Sequence, residues 1–257
     1  MFSERFLDDK SLKKIDKKFQ QIFNRTGIDR KTQDEVFDKY TLSTIEKLIS
    51  DKIIDILDFP ISTGKEGNVF RAITPKKKFV AIKIYRTSNL TFKHISEYII
   101  GDPRFKSFHK NNKDIVQIWT KKEFKNLEKL KKIGVKAPKP IVFADNVLVM
   151  QYIGDSRHAA PMIKDVIVEN PQEIFNSIIN NISLMYKKGE LVHSDLSAFN
   201  ILYYRKKPYI IDLGQGVLLE HPRSLEFLKR DIDNIVRYFK KYNIWADANK
   251  IYNKIVN

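Results

Sequence analysis

Residues 193 to 214 constrain this chain more than any other stretch. His193-Ser194-Asp195-Leu196-Ser197-Ala198-Phe199-Asn200 is followed, after a short strand-like run, by Ile210-Ile211-Asp212-Leu213-Gly214. This is an HxDxxxxN loop succeeded by a D-x-G loop. Transfer of a phosphoryl group needs a carboxylate beside the attacking oxygen and hard oxygen ligands for Mg2+, which screens charge on phosphate oxygens. Asp195 supplies the first as catalytic base, and Asn200 and Asp212 supply the second. Asp and Asn are also ordinary turn residues, but two such loops in this order around a short strand mark phosphotransfer chemistry. No second ligand stands at metal-binding spacing from His193, so it reads as a hydrogen-bonding residue of the loop.

A cation for phosphate is expected upstream. In Phe79-Val80-Ala81-Ile82-Lys83-Ile84-Tyr85, strand alternation places Phe79, Ala81 and Lys83 on one face and Val80, Ile82 and Ile84 on the other. A purine over Ala81, with Lys83 reaching the phosphates, fits the VAIK pattern. Ser62-Thr63-Gly64-Lys65-Glu66-Gly67-Asn68-Val69 precedes it. That run is neither G-x-G-x-x-G nor a Walker A sequence, yet its glycines and hydroxyls can bring N–H and side-chain donors close to phosphate. Glu123 lies on the helical stripe Trp119, Leu127 and Leu130, facing inward where an unpaired charge is costly. It is the expected partner of Lys83, with Glu97 as the second choice.

The pattern of elements is α+β, with strands early and helices late. Apolar residues recur at helical spacing over Leu12, Ile15, Phe19 and Ile22, and again over Phe37, Tyr40, Ile45, Leu48 and Ile49. Phe59-Pro60 is expected to break that pattern, with two strands following around Thr74–Lys78. A helix over 113–133 stops at Gly134, two strands flank Asp145-Asn146, and a further helix carries Ile174, Ile178, Ile182 and Met185. Strands at 200–204 and 209–212 and a helix striped by Leu225, Leu228, Ile232, Ile235 and Phe239 complete the chain. The expected domains are a helical extension over 1–58, an N-lobe over 59–150 and a C-lobe over 151–257. The segment 86–112 is too long for a passive connector and is expected to move.

The chain has 257 residues, 42% hydrophobic content and no cysteine, which allows a full core and excludes disulfides and thiol chemistry. No apolar stretch reaches membrane-spanning length, and the expected location is the cytoplasm. A net charge of +16 attracts polyanions such as RNA or a ribosomal surface, although a solvated lysine-rich surface reads equally well.

STGKEGNVF, AIKIYR, GDPRF, WTKKEFKNL, VLVMQYIG, LVHSDLSAFNILY and IIDLGQGV, in that order from Ser62 to Val217, resemble the blocks of the RIO family of atypical serine protein kinases. The likeness is to its first subtype in archaeal form, with no DNA-binding module of the second subtype. The resemblance implies a bilobal kinase-like fold with a trimmed C-lobe, and ATP with Mg2+, or Mn2+ in its place. It implies Asp195 as base, Asn200 and Asp212 as metal ligands, and Lys83 and Ser62–Asn68 at the triphosphate. Met150 to Ile153 would form the hinge, where the Gln151 carbonyl and the Ile153 N–H meet adenine. It further implies ATPase activity, Asp212 as a phosphate acceptor, and action on pre-small-subunit ribosomal particles and their rRNA. Serine autophosphorylation is expected at Ser88, Ser96 or Ser107. A docked peptide substrate is doubtful, because no APE sequence follows Asp212. Two rivals are a small-molecule kinase of the aminoglycoside or choline type, which shares the HxDxxxxN loop, and an ATP-binding scaffold on a ribonucleoprotein.

Overall fold

The computed structural model describes residues 37–64, 67–86, 98–99, 102–105 and 112–257. The helix expected over Leu12–Ile22, the loop residues Lys65 and Glu66, Glu97, and Ser88, Ser96 and Ser107 lie outside them. In chain order the elements are α1 (Lys39–Ser50), β1 (Ile56–Thr63), β2 (Gly67–Ile73), β3 (Phe79–Tyr85), α2 (Asn112–Ile133), β4 (Pro140–Ala144) and β5 (Val147–Gln151). They continue with α3 (Pro171–Lys187), β6 (Leu191–Val192), β7 (Ile201–Tyr204), β8 (Lys207–Ile210), β9 (Val217–Leu218), α4 (Ser224–Phe239) and α5 (Ala248–Val256).

The chain divides into two compact units. The first holds α1, the start of α2 and a five-stranded sheet of order β1-β2-β3-β5-β4. Helix α1 starts where Asp38 accepts a hydrogen bond from the Thr41 N–H at 2.7 Å, which satisfies one of the orphan donors of the first turn. Its buried residues Leu42, Ile45 and Leu48 join Val80, Ile82, Ile84, Val147 and Val149 in one core cluster on a single face of the sheet. Burying each such side chain contributes on the order of 1.5–3 kcal/mol. Ile49, at the margin of the stripe, is exposed. The β4–β5 turn fixes the helix: Asp145 accepts from the Thr44 hydroxyl at 2.9 Å, and the Asn146 amide donates to the Thr41 hydroxyl at 2.8 Å and to the Tyr85 carbonyl at 2.9 Å.

The helical pattern ends at Ser50, ahead of the change expected at Phe59-Pro60, and β1 has already begun at Ile56. Three strands, not two, reach to Tyr85, because β1 runs through Phe59 and Pro60 with register shifts on either side of Pro60. Proline has no N–H for a sheet ladder, and an irregular edge strand is where a sheet tolerates that loss.

The second unit holds the rest of α2 and everything from Ile153 onward. Ile174, Ile178, Ile182 and Met185 of α3 are buried, as are Leu228, Ile232, Ile235 and Phe239 of α4, whereas Leu225 is exposed. A two-stranded ladder of β6 with β9 and a hairpin of β7 with β8 carry the polar loops. Among the described residues no helix is long and apolar enough to cross a membrane.

Candidate active site

In the second unit, β6 ends at Val192 and delivers His193 to Asn200 as a loop before β7. Residue pairing in the β7–β8 hairpin, Ile201 against Ile210, then returns the chain so that the Ile211 N–H donates to the Asn200 carbonyl at 3.0 Å. Two segments separated along the sequence thus meet, and Asp212 follows directly. The Asn200 amide donates to the Asp195 main-chain carbonyl at 2.8 Å and to Asp195 Oδ2 at 3.1 Å. Its NH2 group is therefore turned to Asp195, and its amide oxygen to the opposite side.

His193 is 2% exposed and joins the loops. Its Nδ1 faces the Asp195 N–H at 3.3 Å and so accepts, while Nε2 lies 2.9 Å from the Ile211 carbonyl and so carries the proton. Burial holds its pKa below the ordinary histidine value, consistent with a neutral ring that makes both bonds. The expectation of a structural histidine is met. Burial likewise raises the Asp195 carboxyl above its ordinary value, and the negative charge of Asp212 adds to the effect.

Ser194 and Asp212 both have left-handed backbones, with φ of 70° and 64°. Each costs a residue with a Cβ on the order of 1 kcal/mol and persists only where neighbours enforce it. For Ser194 the enforcing group is Asp231 of α4, whose two carboxylate oxygens accept the Ser194 N–H at 2.9 Å and the Leu196 N–H at 2.8 Å. Arg230 donates to the Ser194 carbonyl, and Asn234 to the Leu196 carbonyl at 3.1 Å. Asp195 sits between these anchored residues. Reading the sequence for loops alone overlooks Asp231. Its signal is an acidic residue on the apolar stripe of α4 between Leu228 and Ile232, where a charge needs a reason.

The first unit carries the strand and turn residues among the others, whereas Glu123 and Ile153 fall in the second. Because Val80, Ile82 and Ile84 enter the core cluster, Ala81 and Lys83 occupy the opposite sheet face. Pairing of Val69 with Lys83 and of Ala81 with Met150 puts all four on that face. Lys83 is 9% exposed and its ammonium lies 5.0 Å from the Tyr85 ring centroid. At the other end of the same face, Arg71 packs over the rings of Phe59 and Phe79, at 4.2 and 4.3 Å, and bonds Asp58. Ser62, Thr63 and Gly64 are exposed. The Gly64 N–H donates to the Gly67 carbonyl at 3.0 Å and approaches the Asn68 side-chain oxygen at 3.3 Å. A Cβ on Gly67 would stand 2.4 Å from the Ile84 carbonyl oxygen, so that position admits only glycine. Gln151 ends β5, with Ile153 buried just beyond it, and Glu123 on α2 is 1% exposed.

A family model described as the RIO domain matches residues 68–251. This chain belongs to the RIO family of atypical kinases. It is similar to the RIO-type serine/threonine-protein kinase Rio1 of Haloferax volcanii, with 40% identity over 86% of this chain and 76% of the relative. To the protein of the same description from Thermoplasma acidophilum it is 45% identical, over 71% of this chain and 96% of the relative. Among solved structures it resembles the Rio2 kinase-ADP/Mg2+-phosphoaspartate complex from Chaetomium thermophilum, with a TM-score of 0.65 at 21% identity. That match covers 82% of this chain and 65% of the other and supports the kinase-like fold.

Proposed function

We propose that this RIO-family kinase transfers the γ-phosphoryl group of ATP, with Mg2+, to serine or threonine hydroxyls, with Asp195 as the base that accepts the hydroxyl proton. The observation that carries the reading is the joining of Asp195 and Asn200 by two hydrogen bonds, 2.8 and 3.1 Å long, on a loop that meets the segment leading to Asp212. Asn200 and Asp212 offer oxygen donors of the hard kind Mg2+ prefers. Mg2+ is commonly held by one or two protein side chains together with substrate phosphates, and these two residues match that requirement. When bound, Mg2+ supplies charge neutralisation at the phosphate oxygens.

Lys83 is assigned to the phosphates, and Val69, Ala81 and Met150 to the purine faces. Gln151 and Ile153 are assigned to the adenine edge through their backbones. Ser62 to Asn68 are assigned to the triphosphate, because Gly67 lets this turn lie against β3.

A second reading, ATP hydrolysis as the working reaction with Asp212 as an intermediate acceptor, is favoured by how quickly the chain leaves the metal loop. Only β9 intervenes between Gly214 and the start of α4 at Ser224, so a long peptide-binding segment has no place there. The net charge of +16 suits contact with a polyanion such as the rRNA of a pre-small-subunit ribosomal particle. Turnover of radiolabelled ATP with Mg2+ tests all of this, with and without small-subunit precursors and with free phosphate and labelled protein followed separately. Labelled protein identifies a protein kinase, particle-stimulated free phosphate identifies an ATPase, and absence of both under all conditions refutes the assignment.

A further inference from the structure

Lys122 is a lysine with no solvent exposure, placed on α2 beside the metal loop. Its ammonium donates to the Gly214 carbonyl at 2.7 Å and to the Gly216 carbonyl at 2.6 Å. One turn further along α2, Asn126 is also fully buried, and its amide NH2 donates to the Leu213 carbonyl at 2.8 Å and to the Gly216 carbonyl at 2.9 Å. The Asn126 oxygen accepts from Arg104 at 2.8 Å. Because arginine can only donate, this contact fixes which end of the amide faces the loop. Arg104 is itself held by Asp102, through Nε at 2.9 Å and Nη2 at 2.6 Å, and the Asp102 side chain is fully buried.

Four donated hydrogen bonds therefore converge on three carbonyls within four residues after Asp212, those of Leu213, Gly214 and Gly216. We infer that Lys122 and Asn126, oriented by the Asp102–Arg104 pair, form a clamp that positions the Asp212 carboxylate for Mg2+. Two facts make a passive core role insufficient. A buried ammonium costs several kcal/mol unless it is well bonded, and an aliphatic residue would fill the same space without that cost. Asp212 holds a left-handed φ of 64°, a state that needs external enforcement, and the carbonyls next to it are the ones gripped. Gly216 completes the fit, since a Cβ there would lie 2.9 Å from the Asn126 amide nitrogen. Burial pushes the Lys122 pKa well down, with Arg104 adding to the effect. Both the amine and the ammonium carry enough hydrogens for the two carbonyls, so the clamp holds in either form.

The inference rests on Asp212 as a Mg2+ ligand, so Lys122→Met and Asp212→Ala are assayed together. The measurements are the Mg2+ concentration giving half-maximal ATP turnover, and the affinity for a fluorescent ATP analogue in EDTA. Lys122→Met keeps an unbranched side chain, one atom shorter, and removes both hydrogen bonds. A clamp predicts at least a tenfold rise in the Mg2+ requirement with metal-free nucleotide affinity within twofold of wild type. A merely structural lysine lowers melting temperature and turnover but leaves the Mg2+ requirement within twofold, and that result overturns the clamp. Equal loss of nucleotide affinity with and without metal also overturns it. If Lys122→Met does not fold, Arg104→Met is titrated in the same way and decides by the same criteria. An unchanged Mg2+ requirement in Asp212→Ala overturns the metal-ligand reading itself, and the clamp with it.

Discussion

Replacing Asp231 by alanine tests whether α4 shapes the catalytic loop. The side chain is 1% exposed, and its two oxygens are the acceptors for the Ser194 and Leu196 N–H groups at 2.9 and 2.8 Å. Alanine leaves both donors facing a methyl group. An unsatisfied buried donor costs roughly 1–3 kcal/mol, while alanine in a helix interior returns roughly 0.5 kcal/mol, so the expected net loss is about 2–5 kcal/mol. Burial pushes the Asp231 pKa up to about 7, against an unfolded value near 3.9. A folded pKa raised above the unfolded one gives stability that is fully present below about pH 4 and is lost as pH rises through about 7. Alanine lacks that contribution, so the wild-type advantage should be larger at pH 5 than at pH 8, by up to about 1.4 kcal/mol per pH unit. Urea denaturation followed by tryptophan fluorescence at both pH values measures it. Turnover should fall about a hundredfold or more, because Asp195 lies between the two released residues and a displacement of about 1 Å has that effect. A stability loss under about 1 kcal/mol, or turnover within threefold of wild type, refutes the reasoning.

The remaining predictions concern the reacting groups and the phosphate turn. Asp195→Asn should lower kcat by a factor of at least about 100 with ATP affinity within about threefold, because it removes a proton acceptor and not a nucleotide contact; a proportional rise in KM would reassign the residue to binding. Because burial, with the Asp212 charge adding to it, raises the Asp195 pKa above its ordinary value, activity should fall on acidification, and a pH–rate profile flat down to about 4 would contradict a basic role. Asp212→Ala should weaken Mg2+-dependent ATP binding by about tenfold or more while metal-free binding holds, as isothermal titration with and without EDTA would show. Gly67→Ala forces a Cβ to 2.4 Å from the Ile84 carbonyl, so β2 must shift from β3, and it should lower thermal stability and raise KM for ATP; unchanged KM in the folded variant would remove the turn from the nucleotide site.

The sequence by itself determined the α+β class and the main helices and strands, and it marked Asp195, Asn200 and Asp212 as candidates, because each is written in local pattern. Strand alternation placed Ala81 and Lys83 on one face, and helical periodicity placed Ile174 to Met185 and Leu228 to Phe239 inward. Local pattern misled at Phe59-Pro60, read as the change from helix to strand, because the helix ends at Ser50 and an edge strand can carry a proline within β1. Only the tertiary structure decided which residues hold those loops in place. Asp231, Lys122 and Asn126 lie 35 to 94 residues from the backbone groups they bond, and no local preference encodes a partner at that separation. Each is a polar side chain on an apolar helix face, tolerable only because a backbone group with unmet hydrogen-bonding capacity faces it. A sequence can show that such a residue is out of place, but the fold supplies the atom that makes its burial favourable.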